Sequence, residues 1–260
     1  MIYDEICEVL RHSELAVGYR LLVFEAPKLA AVLQPGQFIH VKVPTLEESA
    51  LRRPFSVFDV DGTQVRVLYK TVGRGTRALN HVKVGEKIAV LGPLGKGFPP
   101  TCKGTALLVG GGYGVAPLYF LAHRLIESGH KKVILFEGGR TAADLLALDD
   151  FAALGVDVRI ATNDGSNGTK GFVTMPLDVE IASLMAKKEP FELFTCGPDG
   201  LLKAVSERAL TYGLPGWISI DRHMICGVGA CYACIQKTVN GPARCCVDGP
   251  VFPARELVWD

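Results

Sequence analysis

From residue 1 to about residue 100 the chain alternates short apolar runs with Gly, Pro and Asp. The runs are "LLVFEA" (21–26), "QFIHVKV" (37–43), "FSVFDV" (55–60), "QVRVLYK" (64–70) and "KIAVLG" (87–92). Strict alternation shows in Ile39, Val41 and Val43, and again in Val65, Val67 and Tyr69. Short strands at this spacing, with no long helical pattern between them, predict an antiparallel barrel. Beyond Pro99-Pro100 the period changes. "ALLVGGG" and "KVILFEGG" read as strands, and Pro117 to Ser128 as a helix stopped by Gly129. "TAADLLALDDFAAL" reads as a second helix, "VDVRIAT" as a strand, and "FELFTCGP" then "DGLLKAVSERALTYG" as another strand–helix step. Such alternation predicts a parallel sheet with helices on both faces, ending near Gly213-Leu214-Pro215-Gly216. The expected fold class is β plus α/β: an antiparallel β-barrel over 1–100, a parallel-sheet nucleotide-binding domain over 101–215, and a small unit over 216–260 that has too little apolar sequence to fold alone.

Composition narrows the function. Nearly half of the 260 residues are hydrophobic, so a core forms without disulfide staples. Lys+Arg 28 against Asp+Glu 27 leaves a net charge of +1, which provides no field for nucleic acid or an anionic membrane. The opening "MIYDEICEVL" has neither a basic n-region nor an apolar h-region. The uncharged stretch "TALLVGGGYGVAPLYFLA" (105–122) holds four glycines and a proline, and is short for a helix crossing ~30 Å of hydrocarbon. It reads as a strand, a glycine turn and a helix. The expected address is the cytoplasm, where reducing conditions disfavour disulfides and direct clustered cysteines to metal or redox chemistry.

Five of the eight cysteines fall within "CGVGACYACIQKTVNGPARCC" (226–246). A disulfide knot, a zinc site and an iron–sulfur cluster compete. Cys226, Cys231 and Cys234 are spaced C-x4-C-x2-C with a further cysteine about a dozen residues on, the plant-type [2Fe–2S] pattern with a shorter final gap. Structural zinc usually takes two CxxC-like knuckles, and only one CxxC exists here. Gly227 and Gly229 let the loop curl and turn backbone N–H groups towards the sulfurs. Cys245 and Cys246 are adjacent, so their side chains point to opposite sides in an extended segment and only one of them reaches the iron. Cys7 and Cys102 read as ordinary small apolar residues.

"VGGGYGVAP" closes a strand and opens a helix, placing Gly110, Gly111, Gly112, Gly114 and Pro117 where a dinucleotide pyrophosphate meets a helix N-terminus. Proline stands where the G-x-G-x-x-G fingerprint has its third glycine. In the first domain "RRPFSV" (52–57) sets a basic residue before a proline, an aromatic and a serine. "LYKTVGRGTRAL" (68–79) offers Gly73 and Gly75 before Thr76, a pattern also expected of a plain helix N-cap. "GPLGKGF" (92–98) follows, and "CGP" (Cys196-Gly197-Pro198) ends a later strand.

That order of motifs resembles the ferredoxin–NADP reductase superfamily, whose barrel binds a flavin and whose α/β domain binds a nicotinamide. With "CGVGACYAC" and "CVDGPVF" (246–252) added, nearly the whole chain resembles the electron-transfer subunits of bacterial, NAD-linked, two-subunit dihydroorotate dehydrogenases. The resemblance implies FAD on Arg53, Pro54, Phe55, Ser56, Leu68, Tyr69, Lys70, Gly75 and Thr76, with Arg53 facing the pyrophosphate and Phe55 and Tyr69 near the flavin. It implies NAD on Gly110, Gly111, Gly112, Gly114, Pro117, Cys196, Gly197 and Pro198, and a [2Fe–2S] cluster on Cys226, Cys231, Cys234 and Cys246, choosing Cys246 over Cys245. It further implies an FMN-containing catalytic partner subunit, a heterotetramer with two copies of each subunit, and electron flow from FMN through cluster and FAD to NAD+ in pyrimidine (UMP) biosynthesis. The chain alone is then a diaphorase that does not oxidise dihydroorotate, and no general acid or base is nominated. Asn163-Asp164 after a strand favours NAD over NADP, while Arg140 suits a 2′-phosphate. Similar subunits serve ferredoxin reductases and sulfur- or hydrogen-metabolising complexes; a zinc-stabilised binding module is the alternative of a different class.

Overall fold

In the computed structural model, which describes residues 1–44 and 51–259, seven strands form one antiparallel sheet. They are β1 (Tyr3–Ala16), β2 (Tyr19–Glu25), β3 (Phe38–Lys42), β4 (Arg53–Ser56), β5 (Asp59–Asp61), β6 (Gln64–Lys70) and β7 (Lys87–Leu94), in the order β4-β3-β7-β1-β2-β6-β5. The two edges, β4 and β5, are separated only by Val57 and Phe58. Val57 N donates to Gln37 O at 3.5 Å and Phe58 N to Arg66 O at 2.8 Å. Two residues span at most ~7 Å, so the edges must meet and the sheet curls into a barrel. The long β1 is absent from the sequence-based expectation because only Cys7 and Val9 on it are buried, among charged neighbours. Helices α1 (Pro27–Ala30) and α2 (Arg74–Leu79) are short.

A second sheet joins β8 (Thr105–Gly111), β9 (Val133–Gly139), β10 (Asp157–Thr162), β11 (Thr169–Lys170) and β12 (Phe191–Cys196). The C-terminal segment adds β13 (Gly216–Ser219), the hairpin β14 (Ile235–Thr238) and β15 (Gly241–Arg244), and β16 (Val251–Pro253). The order is β11-β10-β9-β8-β12-β13-β16, parallel except for β16. The sheet therefore runs past residue 215, and residues 216–260 contribute its last two strands. The uncharged 105–122 stretch is β8, a tight turn and the start of α3 (Val115–Glu127), and no helix among the described residues is long and apolar enough to cross a membrane.

One helical expectation is corrected, and one helix was not expected. "TAADLLALDDFAAL" is not one helix: a 3-10 turn at Ala142–Asp144 and α4 (Leu148–Ala153) are separated by Ala147 at φ 57°. The break lets Leu145 and Leu146 face the core. The segment Thr174–Lys187 forms α5, unforeseen, with Pro176 tolerated in its first turn and Leu177, Ile181 and Leu184 buried at helical spacing. The last helix, α6, spans Asp199–Tyr212. Helix α3 fastens the two sheets together. Phe120 enters the barrel core, Tyr119 stacks on Phe58 with centroids 4.4 Å apart, and His123 Nδ1 donates to Asp59 at 2.8 Å.

Leu146 N donates to the Glu137 carboxylate at 2.6 Å beneath the broken helix. Burial pushes that carboxyl up to about 8 from an ordinary 4.5, the Leu146 N–H opposing it. The folded chain thus holds a proton there that the unfolded chain releases, so Glu137 lowers stability as pH rises between those values. Glu137→Gln keeps the acceptor oxygen. Its melting temperature is expected to fall less steeply than wild type between pH 6 and pH 8; parallel melting curves would dismiss the assignment.

Candidate functional site

Strand order reverses between β8 and β12, where connections leave in opposite directions and a crevice opens at the strand ends. The glycine loop and the "CGP" motif lie some eighty residues apart in sequence, yet the β8–β12 register sets Cys196 opposite Gly110. They interlock closely. A Cβ on Gly114 would sit 2.5 Å from the Cys196 carbonyl oxygen and 2.7 Å from Gly197 Cα. Pro117 lies in the first turn of α3, where its missing N–H costs nothing.

A cleft of ≈ 830 Å³, part of it open to solvent, lies between this crevice and the barrel. Pro54, Phe55, Ser56, Leu68, Tyr69, Lys70 and Thr76 line it from the barrel, and Gly114 and Cys196 from the α/β sheet. Phe55 and Tyr69 meet edge-on with centroids 5.5 Å apart. The Tyr69 hydroxyl, anchored at 2.8 Å from both Asn80 Oδ1 and His12 Nε2, fixes its ring. Lys70 Nζ donates to Tyr19 OH at 3.0 Å, and Tyr19 OH to Asp144 Oδ1 at 3.5 Å. Thr76 Oγ1 accepts from Val72 N and Gly73 N, so it also caps α2. Arg53 and Gly75 are not in the wall: the guanidinium donates to Leu51 O at 2.7 Å while the side chain lies over Gly75. Nor are Gly110, Gly111, Gly112, Pro117, Gly197 and Pro198.

The wall also contains Phe38, Tyr113, Ser219, Ile220, Asp221 and Met224, none of which was anticipated. Phe38 lies on the face of β3 opposite the alternating Ile39, Val41 and Val43, the face that also bears His40 and Lys42, and Ser219 to Asp221 enter through the position of β13. Tyr113 lies beside Asp221, whose carboxyl is pushed up by burial. Cys196 is buried. Desolvation pushes its thiol up to about 12 against a hydrogen bond from Ser219, so it is a neutral, unreactive group at neutral pH.

The acidic residue proposed from sequence for the ribose moves out of position. Asp164 follows β10, one strand beyond the neighbour of the glycine-loop strand, and its carboxylate accepts from Ser166 N and Oγ at 2.9 and 2.7 Å. At the end of the adjoining β9 stand Arg140 and Asp144 instead, paired at 3.7 Å.

None of the eight cysteines is in a disulfide. Cys7 is in the barrel core, and Cys102 is half-buried. Among the described residues no three His, Cys, Asp or Glu side chains converge on one point as a single metal ion requires. The loop thiols lie as neighbours in two pairs, Cys226 beside Cys231 and Cys234 beside Cys246. Two sulfurs per iron is the arrangement of a four-cysteine [2Fe–2S] centre, whereas structural zinc needs four around one point, so these residues fit the cluster. Desolvation raises Cys226, but backbone N–H groups of Val228, Cys231 and Ala230, with the Cys231 thiol, bring it down to about 6. Gly229 N–H points at Cys246. Cys245 is fully buried, its thiol raised by desolvation and then by the neighbouring Cys234, while Cys246 lies near both Cys234 and Cys226. Cys246→Ser is therefore expected to lose the visible cluster absorbance and Cys245→Ser to keep it; the reverse would exchange the two assignments.

Three family models match the chain in order: an oxidoreductase FAD-binding domain over residues 6–98, an oxidoreductase NAD-binding domain over 108–207, and the iron–sulfur cluster binding domain of dihydroorotate dehydrogenase B over 221–258. The dihydroorotate dehydrogenase B (NAD(+)) electron transfer subunit of Shouchella clausii is 40% identical over 264 residues, covering 96% of both chains. That of Bacillus cereus strain Q1 is 39% identical over 260 residues, again 96% of each. Among solved structures, one described as an NADH-dependent reduced ferredoxin-NADP oxidoreductase superposes with a TM-score of 0.86 at 31% identity, over 98% of this chain and 91% of that one. The ferredoxin reductase of a carbazole 1,9a-dioxygenase shares the fold, with a TM-score of 0.69 over 82% of this chain and 67% of its own. Identity at this level over nearly the full length of both chains, with the cluster-binding model seated on the two thiol pairs, decides the family: this chain belongs to the electron transfer subunits of dihydroorotate dehydrogenase B (NAD(+)).

Proposed function

We propose that this chain accepts electrons released by dihydroorotate oxidation in a separate FMN-containing catalytic subunit and delivers them to NAD+, in pyrimidine biosynthesis in the cytoplasm. The observation that carries this reading is the placement of one cleft between the barrel wall and the glycine-loop crevice, beside a loop whose thiols stand in pairs. FAD and a [2Fe–2S] cluster supply the conversion between two-electron and one-electron transfer when bound. The division of labour follows the three units 1–100, 101–215 and 216–260, one carrier to each, although β13 and β16 tie the third into the sheet of the second.

Phe55, Tyr69 and Leu68 form the apolar wall for the flavin, with Pro54, Ser56, Lys70 and Thr76 at its polar margin. Arg53, held over Gly75, swings to the pyrophosphate. Gly110, Gly111, Gly112 and Gly114 bring backbone close to the dinucleotide, Pro117 starts the helix above it, and Cys196, Gly197 and Pro198 shape the nicotinamide end without exchanging protons. Asp144 and Arg140, not Asp164, meet the adenosine ribose. Cys226, Cys231, Cys234 and Cys246 would hold the [2Fe–2S] cluster, which would carry single electrons between the two flavins.

The catalytic partner docks over Ile225, Val228 and Tyr232, exposed apolar side chains flanking the exposed Cys231. Two chains of each kind assemble. Deleting residues 216–260 would also strip two strands from the α/β sheet, so a point change is the cleaner probe. The test is dihydroorotate-dependent NADH formation by the complex recovered from its own cells through a tag on this chain. Robust activity, with partner lost from the Val228→Asp variant, supports the proposal. A complex that reduces dyes with NADH but ignores dihydroorotate would sink the partner assignment and favour the reading suggested by the ferredoxin-NADP oxidoreductase likeness.

A further inference from the structure

His40 lies in β3, only 1% exposed, and its Nε2 has no hydrogen-bond partner. A fold seldom buries a polar nitrogen unsatisfied unless a bound group completes it. Two neighbours say which group. On one side is Phe38, with ring centroids 5.6 Å apart, which lines the flavin cleft. On the other is Gly227, the residue immediately after Cys226. A Cβ there would fall 2.7, 2.9 and 3.0 Å from Cε1, Nε2 and Nδ1 of the His40 ring. Gly227 also has φ +70°, so both its conformation and this close approach require glycine. The imidazole edge is thus pressed onto the backbone of the C-x4-C loop.

We propose that His40 donates a hydrogen bond from its ring N–H to a sulfur of the iron–sulfur centre held by Cys226, Cys231, Cys234 and Cys246, raising the reduction potential of that centre and seating its loop on the barrel; this rests on the reading given above for those four cysteines. Burial, then the charge of Arg52, lowers His40 to about 4. The ring is accordingly neutral at neutral pH, with a single N–H to give. A donor to sulfur favours the more negative, reduced centre and so raises its potential. His40 is a positioning residue on the barrel that acts on a carrier held by another part of the chain.

The test uses the complete complex, labelled with 15N in histidine only, reduced and examined by pulsed electron paramagnetic resonance. A 15N coupling to the unpaired electron of the centre is expected in wild type and in His223→Gln, and is expected to vanish in His40→Gln. A [2Fe–2S] signal without that coupling, or a coupling that survives in His40→Gln, overturns the role of His40 alone. Absence of any [2Fe–2S] signal overturns the ligand reading as well, so the two failures are distinguishable. Redox titration adds a second readout. At the wild-type midpoint the oxidised-to-reduced ratio of His40→Leu should rise about tenfold, which is 59 mV for a one-electron couple. His40→Gln, which retains a donor, should lie closer to wild type; an unchanged His40→Leu potential also overturns the proposal. If His40→Leu does not load its centre, the wild-type spectrum still decides.

Discussion

Replacing Cys231 with serine is expected to abolish dihydroorotate-dependent NAD+ reduction by the assembled complex while leaving NADH-to-dye activity within about twofold of wild type. Cys231 stands beside Cys226 in the cysteine loop, so its loss would leave the proposed centre short of a ligand. Changes merely one step out from a metal cost ~10–100-fold, and a ligand should cost more. The diaphorase reaction needs only the cleft, whose wall contains none of the four proposed ligands. Cluster absorbance and both rates measured on one preparation check the point. A variant that lost its cluster and kept the coupled rate would remove the centre from the electron path.

The second large effect is expected at Gly114. An added methyl meets the Cys196 carbonyl at 2.5 Å for oxygen and 2.6 Å for carbon, and Gly197 Cα at 2.7 Å. These are backbone atoms at a strand end, and no rotamer change moves them aside. Gly114→Ala must push the glycine loop away from the "CGP" turn, spoiling the crevice for the dinucleotide and costing ~1–3 kcal/mol of overpacking. The KM for NADH should rise about tenfold or more, corresponding to ~1.4 kcal/mol of binding, with flavin content unchanged. Gly200→Ala, which meets nothing within 4 Å, should behave as wild type in the same assay. An unaffected KM in Gly114→Ala would mean that the interlocked turns do not shape the nicotinamide site.

Much of this protein was readable as local pattern. Alternation in Val65, Val67 and Tyr69 marks β6, and the apolar run before the glycines marks β8, because both patterns express burial at one residue's own position. The C-x4-C-x2-C spacing is equally local: a tight loop joins the sulfurs, and the loop is within the motif. Reading failed where burial was sparse or came from elsewhere. Strand β1 shows only Cys7 and Val9 to the core. The helix expected over Thr141 to Leu154 breaks at Ala147 because Leu145 and Leu146 turn inward.

The sites themselves divide along the same line. Chain order was enough for the two sheet classes, and it nominated the flavin-wall residues and the set of cysteines, since each depends on residue types at short separations. Pairing register was needed to bring Gly110 opposite Cys196, and sheet order to put Ser219, Ile220 and Asp221 into the cleft wall. The same long-range packing set Asp164 one strand too far out and laid His40 of the barrel against Gly227 of the cysteine loop. No property of those residues taken singly encodes such meetings. They arise because closing the barrel and stacking the strands leave one low-energy way to bury the apolar faces, and that arrangement selects the neighbours.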